Sequence, residues 1–158
     1  MECPENDADM IIGRLWLGNC NSALDYAFLE KNNIKYIVNV TDNVSSPFKN
    51  IMYYRIPIKD KETCCLHLKK IIYEQLDGAL DFINKGLASG YGVLVHCKRG
   101  HHRSANVVLI FLMKYLRVGY IPCFMYISNI RPTALRRETC LNYWILNYYR
   151  ERIEKTIL

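Results

Sequence analysis

The sequence predicts an α/β fold: a central, mostly parallel, twisted sheet of about four or five strands flanked by helices on both faces. Short apolar runs alternate with amphipathic segments along the 158 residues. The run 93–95 is apolar at consecutive positions, which is typical of a strand buried on both faces. Apolar residues across 66–87 instead recur at helical spacing, so that segment is predicted to be a long helix.

The remaining elements follow from the same patterns. Further strands are predicted over 15–17, 36–40 and 52–56, the last ended by Pro57. Ser22 is expected to cap a helix over 23–31, with Asp25 at the acidic position of a capping box. Gly90 and Gly92 separate the long helix from the buried strand. Additional helices are predicted over 103–117, 122–130 and 136–155; the first is apolar on nearly every side and is therefore expected to be central.

Length and composition indicate one globular domain. Residues 1–9 read as a flexible tail and residues 10–158 as the domain. Because 51% of the residues are hydrophobic and 23% are charged, a disordered chain is excluded. The apolar run 107–113 is too short to span a bilayer. An odd cysteine count of seven and no signal-peptide pattern favour an intracellular location, in the cytoplasm or the nucleus.

The segment from Cys97 to Arg103 carries the clearest chemistry. A cysteine and an arginine six positions apart, on a loop that contains Gly100 and joins a strand to a helix, form a site for a phosphate dianion. The same positive field lowers the pKa of a thiol, so Cys97 is expected to supply a nucleophilic thiolate. Arg103 can hold two phosphate oxygens with its planar guanidinium. Ser104 can cap the helix, and can also hydrogen-bond the thiolate.

The pattern His96-Cys97-x5-Arg103-Ser104 resembles the signature of cysteine-dependent protein tyrosine phosphatases. Further segments resemble the small dual-specificity branch in the same order along the chain: 15–18, 34–41, 56–60 and 129–132. The resemblance covers roughly residues 10–150 and implies a phosphatase fold without a cofactor. It also implies a buried His96 that orients the loop by hydrogen bonds.

The resemblance further implies a general acid on the segment 56–60. Asp60 is the candidate; it would protonate the leaving oxygen and then activate water. Its spacing of 37 positions before Cys97 is a few residues longer than the family's, so Glu62 on the same loop stays as the alternative. Asp77 and Asp81 fall inside the predicted long helix and are less suited to this role.

The side chains within the loop leave the substrate open. Lys98, Arg99, His101 and His102 are expected at or near the pocket rim, where they would bind substrate. Most dual-specificity members have small or neutral residues at several of these positions. The basic loop is similar to that of an atypical group that cleaves inositol pyrophosphates, whereas the flanking segments are similar to the protein-directed branch. Phosphoproteins are therefore the expected substrates, with inositol pyrophosphates, phosphoinositides or RNA 5′-triphosphates as the alternative.

Other patterns are assigned to structure. Arg131 and the pair Arg136-Arg137 are interpreted as a solvated helix start. The pair Cys64-Cys65, near His67, lacks the four ligands of a zinc site, so no metal site is predicted. One of these cysteines could instead trap oxidised Cys97 as a disulfide. A catalytically silent phosphate-binding module is disfavoured because Cys97, Arg103 and Ser104 are all present. The chain is too short for the loop that deepens tyrosine-specific pockets, so both phosphotyrosine and phosphoserine/threonine are expected to fit.

Overall fold

The computed structural model describes residues 5–61 and 65–157, and these confirm the predicted fold class. Five strands form one sheet in the spatial order β1-β2-β5-β3-β4, in which only the β1–β2 pair is antiparallel. The strands are β1 (Ala8–Ile12), β2 (Leu15–Gly18), β3 (Ile34–Asn39), β4 (Met52–Arg55) and β5 (Gly92–His96). The central position of β5 agrees with its continuous apolar sequence.

Helices cover both faces of the sheet. They are α1 (Cys20–Leu24), α2 (Tyr26–Lys31), α3 (Cys65–Ala88), α4 (Arg103–Leu116), α5 (Tyr120–Ile130), α6 (Cys140–Tyr148) and α7 (Lys155–Ile157), with a π-helical segment, Tyr149–Glu154, before α7. Along β5, Leu94 packs into the smaller core with residues of α1 and α2, whereas Val93 and Val95 pack into the larger core with α3 and α4. The alternation of side chains along one buried strand therefore joins two hydrophobic cores.

Two predicted helices begin and end differently. The predicted helix 23–31 is divided into α1 and α2 because each short helix has its own cap. The side chain of Asn19 accepts a hydrogen bond from the Ser22 amide at 3.0 Å, and that of Asp25 accepts one from the Phe28 amide at 3.1 Å. Ser22 is therefore not a cap, and Asp25 caps α2. The helix predicted over 136–155 begins instead at Cys140, as α6, since Thr139 and Asn142 form its capping box.

The predicted tail over residues 1–9 overlaps the sheet at its last two residues. Ala8 and Asp9 begin β1, which pairs antiparallel with β2 and forms an edge of the sheet. Tyr126 donates a hydrogen bond from its hydroxyl to the carbonyl of Ile11 at 2.6 Å, which ties this edge to α5. β1 was not predicted, because it is recognised by its pairing with β2 rather than by an apolar pattern in the sequence.

The sheet directs one loop to its carboxyl edge. β5 ends at His96, and α4 begins seven residues later at Arg103. Every α4 side chain from Arg103 to Met113 is buried, so the helix is enclosed by the larger core as its apolar sequence predicts. The carboxyl ends of parallel strands are where open α/β sheets bind ligands. None of the described helices is both long and apolar enough to cross a membrane.

Candidate active site

Cys97 lies directly after β5, at the base of the loop that leads into α4. Its side chain is 3% exposed. Its sulfur accepts a hydrogen bond from the Ser104 hydroxyl at 3.1 Å and another from the Gly100 amide at 3.3 Å. Both donors stabilise a negative charge on sulfur more than they stabilise a neutral thiol.

The surroundings of Cys97 lower the pKa of its thiol. Burial by itself raises that pKa, since it removes a thiolate from water. The opposing influences are stronger together: hydrogen bonds from the Ser104 hydroxyl and amide, the positive charge of Arg103, and the Gly100 amide. The result is a buried thiol that ionises more readily than an ordinary cysteine, as a nucleophile requires.

Gly100 gives the loop its shape. Its φ of +72° lies in the left-handed region, and an added Cβ would lie 2.5 Å from the carbonyl oxygen of Gly18. Only glycine satisfies both conditions. The Cys20 amide donates to the carbonyl of Lys98 at 3.1 Å, which also holds the loop against the turn between β2 and α1. The glycine in the motif thus allows close contact with a neighbouring strand.

Arg103 joins the loop to the segment that follows β4. Its guanidinium is 4% exposed; Nη1 donates to the carbonyl of Ile58 at 2.8 Å, and Nη2 lies 3.4 Å from Oδ1 of Asp60. Asp60 is half exposed and lines the same cavity as Cys97. Tertiary structure therefore brings the predicted acid, the arginine and the thiol together. Glu62, the alternative acid, lies outside the described residues.

His96 is completely buried at the end of β5. Its Nδ1 lies 3.2 Å from the carbonyl oxygen of Cys97, and because a carbonyl can only accept, Nδ1 is the donor. The pKa of His96 is lowered to about 4, chiefly by burial; the hydrogen bond to Cys97 opposes this, and the positive charges of Arg55 and Arg103 add to it. His96 is therefore neutral at pH 7 and fixes the carbonyl beside the thiol.

The loop opens into a cavity of about 570 Å³. Cationic side chains dominate its wall, and Asp60 is its one carboxylate among the described residues. The lining residues are Asp60, Lys61, Cys97, Arg99, His101, His102, Arg103, Thr133, Arg136 and Arg137. Such a wall attracts anions, and its size lies within the range of small-molecule binding sites.

The family model described as "Dual specificity phosphatase, catalytic domain" matches residues 15–151. The chain belongs to the dual-specificity phosphatase family. It is 33% identical over 131 residues to "Dual specificity protein phosphatase Mpk3" of Drosophila melanogaster, covering 81% of this chain and 30% of the relative. A probable dual specificity protein phosphatase of Dictyostelium discoideum is 31% identical over 156 residues, covering 96% of this chain and 65% of the relative. The chain therefore spans under two thirds of both relatives' length.

Solved structures of similar fold extend over nearly the whole chain. A mouse putative dual specificity phosphatase complexed with zinc tungstate superposes with a TM-score of 0.81 at 22% identity, covering all of this chain and 96% of that one. Human DUSP28 superposes with a TM-score of 0.79 at 20% identity, covering 97% of each chain. At these identities the likeness shows the fold alone.

His101 and His102, on the loop from Cys97 to Arg103, are held at the rim of the cavity by contacts with neighbouring segments. Nε2 of His101 lies 2.7 Å from one carboxylate oxygen of Glu5. The Thr133 hydroxyl donates a hydrogen bond to the other oxygen of the same carboxylate. Nε2 of His102 lies 2.6 Å from the Thr139 hydroxyl. Burial lowers the pKa of His102, and the charges of Arg137 and Arg103 lower it further, against an opposing influence of Asp60.

The predicted rim residues thus divide into two groups. Arg99, His101 and His102 line the cavity as expected. Lys98 is exposed and does not line it; its carbonyl accepts a hydrogen bond from the Cys20 amide. The expectation that Lys98 binds substrate at the rim is therefore not supported by the geometry of this cavity.

Arg131 is the residue whose role the sequence interpretation missed. It is 1% exposed rather than solvated. Its guanidinium donates to the carbonyls of Gly100 at 2.9 Å and Arg99 at 3.1 Å, and it pairs with Asp9 at 2.7 Å. The signal that could have identified Arg131 is the segment Asn-Ile-Arg-Pro over 129–132, because that segment resembles the family.

Cys65 forms a disulfide with Cys140, with the two Cα atoms 5.9 Å apart. Cys65 is therefore not free to trap an oxidised Cys97, and Cys64 lies outside the described residues. His67 is exposed, and no group of three or more potential metal ligands occurs among residues 5–61 and 65–157. A disulfide is uncommon in the reducing compartment that the cysteine count favoured.

Proposed function

We propose that this chain is a metal-independent phosphomonoester hydrolase that removes phosphate from phosphotyrosine and phosphoserine/threonine in proteins through a phosphocysteine intermediate. One observation carries the proposal: the buried, hydrogen-bonded sulfur of Cys97, the guanidinium of Arg103 and the carboxylate of Asp60 meet at a single cavity. This combination suits nucleophilic attack on a phosphate ester with acid assistance to the leaving group.

In the first step, the Cys97 thiolate attacks phosphorus, the S–P bond forms and the bond to the ester oxygen breaks. Amides of the loop and the Arg103 guanidinium bind the equatorial oxygens as charge spreads over them. Because Arg103 is paired with Asp60 at 3.4 Å, the incoming phosphate competes with that carboxylate. Once displaced, Asp60 takes a proton from solvent and gives it to the leaving oxygen as the ester bond breaks.

In the second step, Asp60 takes a proton from water as the water oxygen attacks phosphorus. The S–P bond breaks and inorganic phosphate is formed. The Ser104 hydroxyl, 3.1 Å from the sulfur, stabilises the departing thiolate by donating a hydrogen bond to it. Ser104 thus assists the step in which sulfur is the leaving group.

Protein substrates are supported by the relatives, whose names include "Dual specificity protein phosphatase". The competing substrate class consists of densely charged small molecules or RNA 5′ ends, and the cationic cavity is the observation in its favour. A panel of singly phosphorylated peptides, phosphoinositides, inositol pyrophosphates and triphosphate-ended RNA tests both classes. A higher kcat/KM for the peptides supports the protein assignment, and a higher value for any other member overturns it.

The mechanism is tested with two substitutions and their matched controls. Cys97→Ser is expected to abolish hydrolysis of an aryl phosphate, whereas Cys123→Ser, at another buried cysteine outside the cavity, is expected to retain it. Asp60→Asn is expected to lower kcat by roughly 10²- to 10⁴-fold for alkyl phosphate esters, which have poor leaving groups. Asp42→Asn, at an exposed carboxylate, serves as its control. Wild-type activity in Cys97→Ser would disprove the nucleophile assignment.

A further inference from the structure

We propose that Arg136 and Arg137 form a second phosphate-binding subsite at the mouth of the cavity, which binds a second phosphate group of the same substrate molecule. The inference rests on the proposed function, since Arg103 is taken to hold the phosphate that is cleaved. It assigns a role to two arginines that the sequence alone assigned to a solvated helix start. The substrate class it names is a phosphate ester with at least one further phosphate near the scissile one.

The charges around these arginines lack a protein partner. The more deeply buried arginines are each paired with a carboxylate, Arg103 with Asp60 and Arg131 with Asp9. In the described parts of the chain, no carboxylate lies within 4 Å of Arg136 or Arg137. Lys61 and Arg99 add further positive charge to the same wall. Like charges gathered around a cavity repel one another, and an anionic ligand removes that repulsion.

The turn that precedes the two arginines is hydrogen-bonded to the loop from Cys97 to Arg103. The Leu135 amide donates to the carbonyl of His101 at 2.7 Å, and the Ala134 amide donates to the carbonyl of Arg131 at 2.9 Å. Leu135 is buried and has a φ of +62°, a left-handed conformation that is strained for a bulky residue. The surrounding contacts hold this strained turn directly before Arg136.

Both arginine side chains line the cavity, and that of Arg136 is also tied to its own turn. Nε of Arg136 donates to the carbonyl of Pro132 at 2.6 Å, which fixes the guanidinium over the turn. Arg137 lines both the main cavity and an adjoining recess of about 190 Å³ that it shares with Asp60 and Thr139. Its charge lowers the pKa of His102, the residue before Arg103. Arg137 therefore lies close to the part of the cavity that Arg103 lines.

Helix geometry argues against a purely structural role. α6 begins at Cys140, after the pair, so neither arginine lies on the helix. Both residues are exposed, and both line the cavity. A cavity of about 570 Å³ has room for much more than one phosphate. The additional space is lined by the groups that bind a second phosphate best, since guanidinium forks match its oxygens.

Binding measurements test the subsite without relying on catalysis. Calorimetric titration of the full chain bearing Cys97→Ser compares orthophosphate with tripolyphosphate. Tripolyphosphate is expected to bind at least about tenfold more tightly, because charge-assisted bonds to a second phosphate are added. Adding Arg136→Gln and Arg137→Gln is expected to remove most of that difference. The matched pair Lys31→Gln and Lys85→Gln removes the same charge from exposed sites outside the cavity and is expected to preserve it.

Two binding results would overturn the subsite. One is an affinity ratio that the arginine substitutions leave unchanged, and the other is an equal loss of that ratio in the lysine pair, which would indicate a general effect of net charge. The single substitutions Arg136→Gln and Arg137→Gln give the same comparison if the double variant does not fold, as judged by thermal unfolding. Each single change is then expected to lower the ratio in part.

Kinetics with otherwise native Cys97 separate the sources of the second phosphate. A peptide with two neighbouring phosphorylated residues is compared with its singly phosphorylated form, and a small polyphosphate ester with the corresponding monophosphate. A higher kcat/KM for the doubly phosphorylated member of either pair, reduced by the arginine substitutions, supports the subsite and identifies its source. Equal values in both pairs would overturn it. Tight tripolyphosphate binding without hydrolysis of any phosphate ester would disprove the proposed function but retain the subsite.

Discussion

The guanidinium of Arg131 donates a hydrogen bond from Nε to the carbonyl oxygen of Gly100 at 2.9 Å, although 31 positions separate the two residues in sequence. The same group binds Arg99 on the loop and Asn6 and Asp9 in the N-terminal segment. Arg131 thus ties the carbonyls of two loop residues to the N-terminal segment. The shape of the site therefore depends on an arginine that does not line the cavity.

Replacing Arg131 with methionine tests this dependence. The change removes the cation from a buried pair and leaves Asp9 and two loop carbonyls without their donor, so the free energy of unfolding is expected to fall by about 3–5 kcal/mol. Urea unfolding and aryl phosphate hydrolysis measure stability and activity. Arg150→Met, at an exposed arginine, is the control and should change neither. Wild-type stability in Arg131→Met would contradict a role in holding the loop.

The substitution Gly100→Ala tests the contact between the loop and β2. An alanine there would need a left-handed backbone and would bring its Cβ to 2.5 Å from the Gly18 carbonyl oxygen. The loop must shift to relieve this, so kcat/KM is expected to fall sharply. Gly90→Ala is the matched control: its φ is +87°, but no atom lies within 4 Å of the added Cβ. It should cost about 1 kcal/mol of stability and leave kcat/KM unchanged. Equal activities in both variants would exclude the steric explanation.

The reactivity of Cys97 should depend on Ser104. Because hydrogen bonds and the charge of Arg103 lower the pKa of Cys97, its alkylation rate is expected to reach a plateau at lower pH than an ordinary thiol. Ser104→Ala removes a donor to the thiolate, so the midpoint should move to higher pH. Iodoacetamide labelling followed by mass spectrometry measures the profile. Cys123 is an internal control because burial raises its pKa. A midpoint unaffected by Ser104→Ala would refute this account.

Buried neutral His96 should make stability depend on pH. The pKa of His96 is lowered from 6.5 to about 4 in the folded chain. Between these values the unfolded chain binds a proton that the folded chain does not, so the free energy of unfolding falls as pH decreases through this range. At pH 5 the loss relative to pH 7 is about 2 kcal/mol.

The change is measured by urea unfolding at both pH values. His96→Asn removes the titrating group and should reduce the difference by that amount, even if the variant is less stable at each pH. His67→Gln, at an exposed histidine, should leave the difference as it is in the wild type. An identical pH dependence in His96→Asn would mean that His96 has the same pKa in the folded and the unfolded chain.

Local patterns predicted much of the secondary structure. Consecutive apolar residues identified β5, and helical spacing identified α3 within one or two residues of its bounds, Cys65–Ala88. In both elements the spacing of apolar residues in the sequence matches the spacing of the buried side chains in the structure, so the prediction and the structure agree. The edge strand β1 and the division between α1 and α2 escaped prediction. Both depend on pairing with a neighbour or on a single capping side chain rather than on a periodic pattern.

The candidate site was predicted to different degrees. Cys97, Gly100, Arg103 and Ser104 lie within one short motif whose spacing already implies their proximity. Asp60 was predicted from a segment that resembles the family, and the structure brings it 3.4 Å from Arg103. Arg131 was misjudged because a sequence of basic residues does not indicate which of them is buried.

By itself the sequence determined the α/β class, the family and the candidate residues of the Cys97–Arg103 loop, because these rest on residues close together along the chain. Only the tertiary structure decided which cations belong to the site. Lys98 lies inside the motif yet does not line the cavity, whereas Arg136 and Arg137 lie more than 30 positions from the loop and do line it. The reason is physical: a side chain's environment is set by the segments that pack against it, and those contacts join residues distant in sequence.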